Sequence, residues 1–158
     1  LPFEKLEQFH VNGYDSCEFM ISLNVGEALK PLTKVASGGE LARLMLAMRV
    51  VLAGADDAHT FVFDEIDTGI SGATAAAVGN RLSRLAVGNQ ALVITHSAQV
   101  AGFADRHFKI AKSVANDKTT TSVHEILADE RVNEIARIIS GSEITPESVA
   151  TAKTLIKK

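Results

Sequence analysis

Two neighbouring carboxylates, Asp64 and Glu65, stand directly behind the apolar run Phe61-Val62-Phe63, and Thr95-His96 ends a second apolar run that begins at Ala91. An acid just past a buried strand can hold Mg²⁺, commonly through water, and a second acid beside it can orient or deprotonate an attacking water. That combination describes hydrolysis of a nucleoside triphosphate. Taken alone, each part is ambiguous. An Asp-Glu pair after a strand often caps the next turn, and a histidine at a strand end can satisfy a backbone carbonyl. A metallohydrolase cluster of Asp64, Glu65, Asp67 and His96 is a further reading, but the spacing matches no zinc motif. His10, His59, His107 and His124 have no such placement and are read as structural or surface residues.

Ser37-Gly38-Gly39-Glu40 adds a second kind of chemistry. Two glycines at the start of an apolar helix leave backbone N–H groups free to approach an anion closely, and phosphate is the natural guest. The plainer alternative is a flexible loop with a serine N-cap. A further motif is missing. No Gly-x-x-x-x-Gly-Lys-Ser/Thr sequence occurs, nor any Gly-Lys pair, so the main cradle for a triphosphate is absent and the chain is not expected to hydrolyse ATP alone.

These residues need elements to hold them. Leu41, Leu44, Met45, Met48 and Leu52 recur at helical spacing, with Leu46 and Val50 thickening the stripe, which predicts a largely buried helix after the Ser-Gly-Gly turn. The runs at 61–63 and 91–94 lack alternation and read as central parallel strands buried on both faces. Between them, residues 73–86 carry Val78, Leu82 and Leu85 on one helical face. Strand, helix, strand implies a right-handed crossover, and ligands collect beyond the carboxyl ends of such strands, where Asp64, Glu65 and His96 fall.

Around this unit, residues 7–23 read as a hairpin turning at Asn12-Gly13, with Cys17, Phe19, Ile21 and Leu23 on a half-buried second strand. Residues 24–39 form a long loop. Strands at 107–112 and 120–127 flank Asn116-Asp117. Asp129 is placed to cap a helix carrying Val132, Ile135, Ala136 and Ile139, with Gly141 ending it, and Thr145-Pro146-Glu147 signals the start of a last helix.

At 158 residues, with 46% hydrophobic and 22% charged residues, the chain fits one packed domain, residues 1–158. A net charge of −3 gives no bulk attraction to a phosphate backbone, and the Lys153, Lys157, Lys158 cluster reads as a solvated helix end. Cys17 is the only cysteine, which excludes an internal disulfide and suits a reducing compartment, the cytoplasm by default. The longest apolar stretch, Leu44 to Ala55, is broken by Arg49 and too short to cross a bilayer, and Glu4, Lys5 and Glu7 interrupt any signal peptide. The start at Leu1 reads as an excised piece.

Ser-Gly-Gly-Glu, helix, strand, Asp-Glu, polar loop, helix, strand and Thr-His follow in that order from Ser37 to His96. The series resembles the carboxy-terminal half of an ABC-type ATPase head. That resemblance implies an α/β P-loop ATPase fold, a mostly parallel sheet flanked by helices, here with an N-terminal antiparallel hairpin. It assigns Ser37, Gly38, Gly39 and Glu40 to the signature loop and Phe61 to Asp64 to the Walker B strand. Asp64 is then the Mg²⁺-linked acid, Glu65 the catalytic glutamate and His96 the switch histidine sensing the γ-phosphate. Ser71 stands where the wider family carries aspartate, so its cross-subunit role is open, with Asp67 as the acid that could compensate. Transporter domains keep both halves of the head contiguous, whereas SMC-like proteins separate them by a coiled coil. The chain is similar to the SMC-like DNA-repair ATPases through PLTKVASGGELAR (31–43), FDEIDTGISG (63–72), ITHSAQVA (94–101) and EIARIISG (134–141).

Membership would imply ATP and Mg²⁺ as ligands, with Ser37 to Gly39 meeting a nucleotide held by a second copy of the head. It would also imply contact with the protein's own N-terminal Walker A lobe, DNA engaged through the complete protein, a recombinase as partner, and a nucleoid-associated place in the cytoplasm with no membrane. The activity implied is ATP hydrolysis between paired heads in recombinational repair of double-strand breaks. Two other readings remain: an interaction module docking a recombinase or DNA-end complex through its terminal helices, and a transporter ATPase fragment. Upstream heptads would mark the SMC-like plan, a contiguous nucleotide domain the transporter.

Overall fold

The structure is a computed structural model that describes residues 3–11, 13–22, 25–34, 37–52, 59–115, 118–141 and 143–157. Its centre is a parallel pair, β5 (Thr60–Phe63) and β6 (Gln90–Val93), in register from Thr60↔Gln90 to Phe63↔Val93. The Ile94 N–H continues the ladder by donating to the Phe63 carbonyl at 2.9 Å. Helix α1 (Gly38–Val51) precedes β5 and α2 (Gly72–Leu85) connects the two strands. Leu46 of α1, Phe63 of β5 and Val78, Leu82 and Leu85 of α2 close on Ile66 and Val100 as one core. That packing fixes the strand ends bearing Asp64 and Thr95.

The expectation that both strand faces are buried is not met. Phe63 is buried, but Val62 is 66% exposed, Leu92 48% and Ile94 51%. Helices α1 and α2 cover one face, and no described residue covers the other. For the same reason α1 is less buried than its composition predicts, with Leu41 and Met45 partly open beside the bare face. Unbroken apolarity in a strand reports two covered faces only when the whole layer is present.

The other ladders are antiparallel: β1 (Phe3–His10) with β2 (Gly13–Cys17), β3 (Met20–Ile21) with β4 (Lys30–Pro31), and β7 (His107–Ala115) with β8 (Lys118–Ile126). The N-terminal hairpin is present, with Gly13 at φ 114° after Asn12, which lies outside the described residues. Its second strand stops at Cys17 and is exposed from Tyr14 onward rather than half buried, while Met20 and Ile21 go to a separate short ladder. Leu23 lies outside the described residues, as do Asn116 and Asp117. The long loop before α1 contains β4 and a 3₁₀ turn at Leu32–Lys34.

A second core of small residues joins α3 (Ala98–Ala101), α4 (Ala128–Ser140) and α5 (Pro146–Leu155), where Ala98, Ala101, Ala136 and Ala152 let the helices approach around Ile135. Thr145 caps α5 in a reciprocal capping box with Ser148, and Gly141 ends α4 at φ 82°. Asp129 is not the cap of α4. Leu127 holds that position and Ala128 turns at φ 45°, which moves Asp129 into the first turn, where its charge faces the positive end of the helix dipole. No described helix is long and apolar enough to cross a membrane.

Candidate active site

Asp64 and Glu65 emerge, both exposed, at the bend where β5 ends. Glu65 has φ 56°, a left-handed backbone that costs a non-glycine residue on the order of 1 kcal/mol or more. The residues behind it enforce that conformation. Ile66 is fully buried and Asp67 is 1% exposed, so the chain must dive inward immediately after presenting Glu65 to solvent. The Thr68 N–H closes the turn on the Glu65 carbonyl at 3.0 Å.

The first turn of α1 lies against this bend. Ser37 is its N-cap, half-buried, and its Oγ accepts from the Glu40 N–H at 3.1 Å. Glu40 is half-buried in the first turn of the helix. Gly39 is buried, and a Cβ there would come within 3.0 Å of the Glu65 carbonyl oxygen, the Thr68 carbonyl oxygen and Arg43 Nη1. Gly38 is exposed, and a Cβ there would meet only Glu65 Oε2, at 3.7 Å. The two glycines therefore differ: Gly39 permits backbone-to-backbone approach, while Gly38 leaves open the space between the helix start and the Glu65 carboxylate. Arg43 ties the parts together, its Nη1 donating to the Ile66 carbonyl at 3.1 Å and to the Thr68 carbonyl at 2.8 Å. Sequence reasoning gave Arg43 no role. Its signal was its place one helical turn beyond Gly39.

His96 is tied to the same bend from the other side. Its imidazole is 80% exposed, with Nδ1 3.4 Å from Asp67 Oδ2. That oxygen also accepts from Thr95 Oγ1 at 2.6 Å and from the His96 N–H at 3.1 Å. The sequence reading offered Asp67 as the acid that could compensate for Ser71 across subunits; its carboxylate faces inward, into its own chain. Ser71 is exposed at the start of α2, and its side chain makes no capping bond. Asp64, Glu65, His96 and the Ser37–Gly39 turn thus share one edge, with Asp67 beneath it and Ser71 at the far end of the loop.

The donor set suits Mg²⁺ rather than a protein-enclosed metal. Among the described residues no three His, Cys, Asp or Glu side chains cluster as ligands. Mg²⁺ is ordinarily held by one or two carboxylates with water and substrate phosphates completing its octahedron, and Asp64 offers such a carboxylate. Beside the edge, an open groove of about 460 Å³ runs between α1 and β5, lined by Leu41, Met45, Phe61 and Val62. Arg49 lies over the Phe61 ring at 5.5 Å there.

No family model matches the chain. It is 44% identical over 157 residues to the DNA repair protein RecN of Bacillus subtilis, matching 99% of this chain and 27% of that protein. It is 51% identical over 121 residues to RecN of Deinococcus radiodurans, 77% of this chain and 21% of that one. With RecN of Vibrio cholerae it shares 43% over 144 residues, 91% and 26% of the two chains. The chain thus spans about a quarter of the length of these relatives. A solved chain from work on ATP-driven dimerization and DNA-stimulated activation of SMC ATPases shares its fold with a TM-score of 0.50 at 22% identity, covering 75% of this chain and 70% of that one.

Proposed function

We propose that this chain, which belongs to the RecN family and corresponds to the C-terminal lobe of an SMC-like ATPase head, completes an ATP site whose phosphate cradle lies elsewhere in the same protein. The observation that carries this reading is the shared edge: the start of α1, the Glu65 carboxylate and His96 are bound to one bend of backbone. A helix N-terminus facing an acid pair has the components for meeting a terminal phosphate and the water that attacks it.

Asp64 would hold Mg²⁺ through an oxygen, and the ion when bound would neutralise charge on the phosphates. Glu65 accepts the proton of the attacking water in its own head. His96 contacts the γ-phosphate. Ser37, Gly38 and Gly39 present a hydroxyl and free N–H groups to the nucleotide of a second head, with Glu40 supporting the helix start, so ATP draws two copies together. Ser71, at the exposed end of the loop, faces the partner head. Once the γ-phosphate leaves, the groups that met it lose their ligand and the pair separates.

The whole protein on this reading is an ATPase of double-strand-break repair by recombination, engaging DNA through its complete form and a recombinase as partner, in the nucleoid of the cytoplasm. This lobe needs its own Walker A lobe and is inactive alone. The bare apolar face formed by Val62, Leu92 and Ile94 supports that dependence, since a contiguous patch of this kind marks a contact surface.

The test is Glu65→Gln in the full-length protein. The amide cannot take the water's proton, so ATP binding persists, turnover falls by roughly 10²-fold or more, and ATP-bound head pairs accumulate in sedimentation. Steady-state hydrolysis at the normal rate would remove Glu65 from the reaction.

A further inference from the structure

Asp67 is a buried ionisable side chain at this edge, and among the described residues its hydrogen-bond donors, Thr95 and His96, belong to one turn. Its side chain has no exposure. Burying a carboxylate is costly unless donors surround it, yet Oδ1 has no hydrogen-bond partner among the described residues. Oδ2, in contrast, receives the Thr95 hydroxyl at 2.6 Å and the His96 backbone N–H at 3.1 Å, with His96 Nδ1 at 3.4 Å. The Thr95 hydroxyl in turn accepts from the Ser97 N–H at 3.0 Å, so its proton is committed to Asp67. One carboxylate oxygen thereby fixes the backbone that carries His96 and lies beside one edge of its ring.

The other end of Asp67 is equally fixed. It lies in the bend that presents Glu65, between Ile66 and Thr68, whose carbonyls Arg43 holds. We infer that Asp67 is a positioning residue that locks Thr95 and the His96 imidazole onto the acid-pair bend, so that Nε2 of His96 and the Glu65 carboxylate keep a fixed relation around one phosphate. Nδ1 faces Asp67, and Nε2, on the opposite edge of an otherwise exposed ring, is left for the ligand. Without Asp67 the ring keeps its chemistry and loses its aim. The inference rests on the proposed function, because it takes His96 to contact the γ-phosphate.

The experiment is a double-mutant cycle on ATP turnover by the full-length protein, comparing Asp67→Ala, His96→Ala and the pair. Misaiming the ring should lower kcat by about 10- to 100-fold in either single variant, with apparent KM for ATP changed by less than about threefold. The double variant should be no slower than the slower single one, since a lost aim costs nothing once the ring is gone. Multiplying effects, or a loss confined to KM, would overturn the inference while leaving His96 in place. Normal turnover in His96→Ala would remove the switch assignment itself and this inference with it. Thr95 probes the same bond while keeping the acid itself in place, should Asp67→Ala fail to fold. Thr95→Val should reproduce the loss in kcat and Thr95→Ser should recover most of it; a Thr95→Val protein with normal turnover would equally overturn the inference.

Discussion

Gly38 and Gly39 are neighbours of one residue type, yet their surroundings assign them different work. At Gly39 the atoms in the way are the Glu65 and Thr68 backbone carbonyls and the Arg43 guanidinium, itself held by the Ile66 and Thr68 carbonyls, and none can readily move aside. Gly39→Ala should therefore destabilise the fold by roughly 1–3 kcal/mol, as overpacking of a tight contact does. At Gly38 the neighbour is the free end of Glu65, at ordinary contact distance. Gly38→Ala should leave stability unchanged, or raise it by about 0.5 kcal/mol through better helix propensity, while lowering ATP turnover of the full-length protein by crowding the phosphate side. Thermal melts and turnover of the two variants separate these outcomes. If both changes cost stability alike, the division between a packing glycine and a ligand-facing one is wrong. From sequence, the Ser-Gly-Gly-Glu turn was legible as a helix start because capping is local, but which glycine does which job was not, because Glu65 and Thr68 meet them only in the fold. Asp67 shows the same limit. A carboxylate in a polar loop reads as solvent-facing, and only the return of β6 buries it.

Helix α4 and the β7–β8 hairpin are joined by an ion cluster that dominates the electrostatics of the second core. Glu134, 7% exposed, accepts from Arg137 Nη2 at 2.6 Å and lies 2.7 Å from Lys109 Nζ on β7. The Arg137 hydrogen bond chiefly, then those of Lys109 and both cations' charges, hold its carboxyl down to about 2 against the opposing effect of burial. Because the folded value lies below the unfolded one, the stabilisation is complete above about pH 4.5 and disappears as pH falls towards 2. Its size at neutral pH is on the order of 3 kcal/mol. Glu134→Gln should remove that amount and flatten the acid limb of a stability-versus-pH curve between those values, measured by denaturant unfolding. An unchanged acid limb would mean the cluster contributes nothing net. Element boundaries here were legible where the signal lies within one turn, as at Thr145-Pro146 and Gly141. Asp129 was misplaced by two residues because Ala128 takes an unusual backbone angle that composition does not announce, and the pairing of Glu134 with Lys109 depends on how the hairpin docks.

At the scale of the molecule the informative feature is asymmetry of burial. The parallel pair has helices on one side and a bare apolar face on the other, and the chain spans about a quarter of its RecN relatives. Those two facts are consistent if a separate stretch of the protein covers that face. Sequence alone could not resolve it, since strands destined for burial on both faces look the same whether the second cover belongs to the chain or to another segment. Two exposed valines test the idea. Val62 is 66% exposed on β5, whereas Val87 is 80% exposed in the turn after α2. If the complete head covers the sheet, Val62→Lys in the full-length protein forces an ammonium against apolar surface, costing on the order of 2 kcal/mol or more. Val87→Lys should stay within about 0.5 kcal/mol of the parent, as surface substitutions do. Unfolding of the two variants by urea measures both values, and equal, small effects would mean that β5 faces solvent in the whole protein.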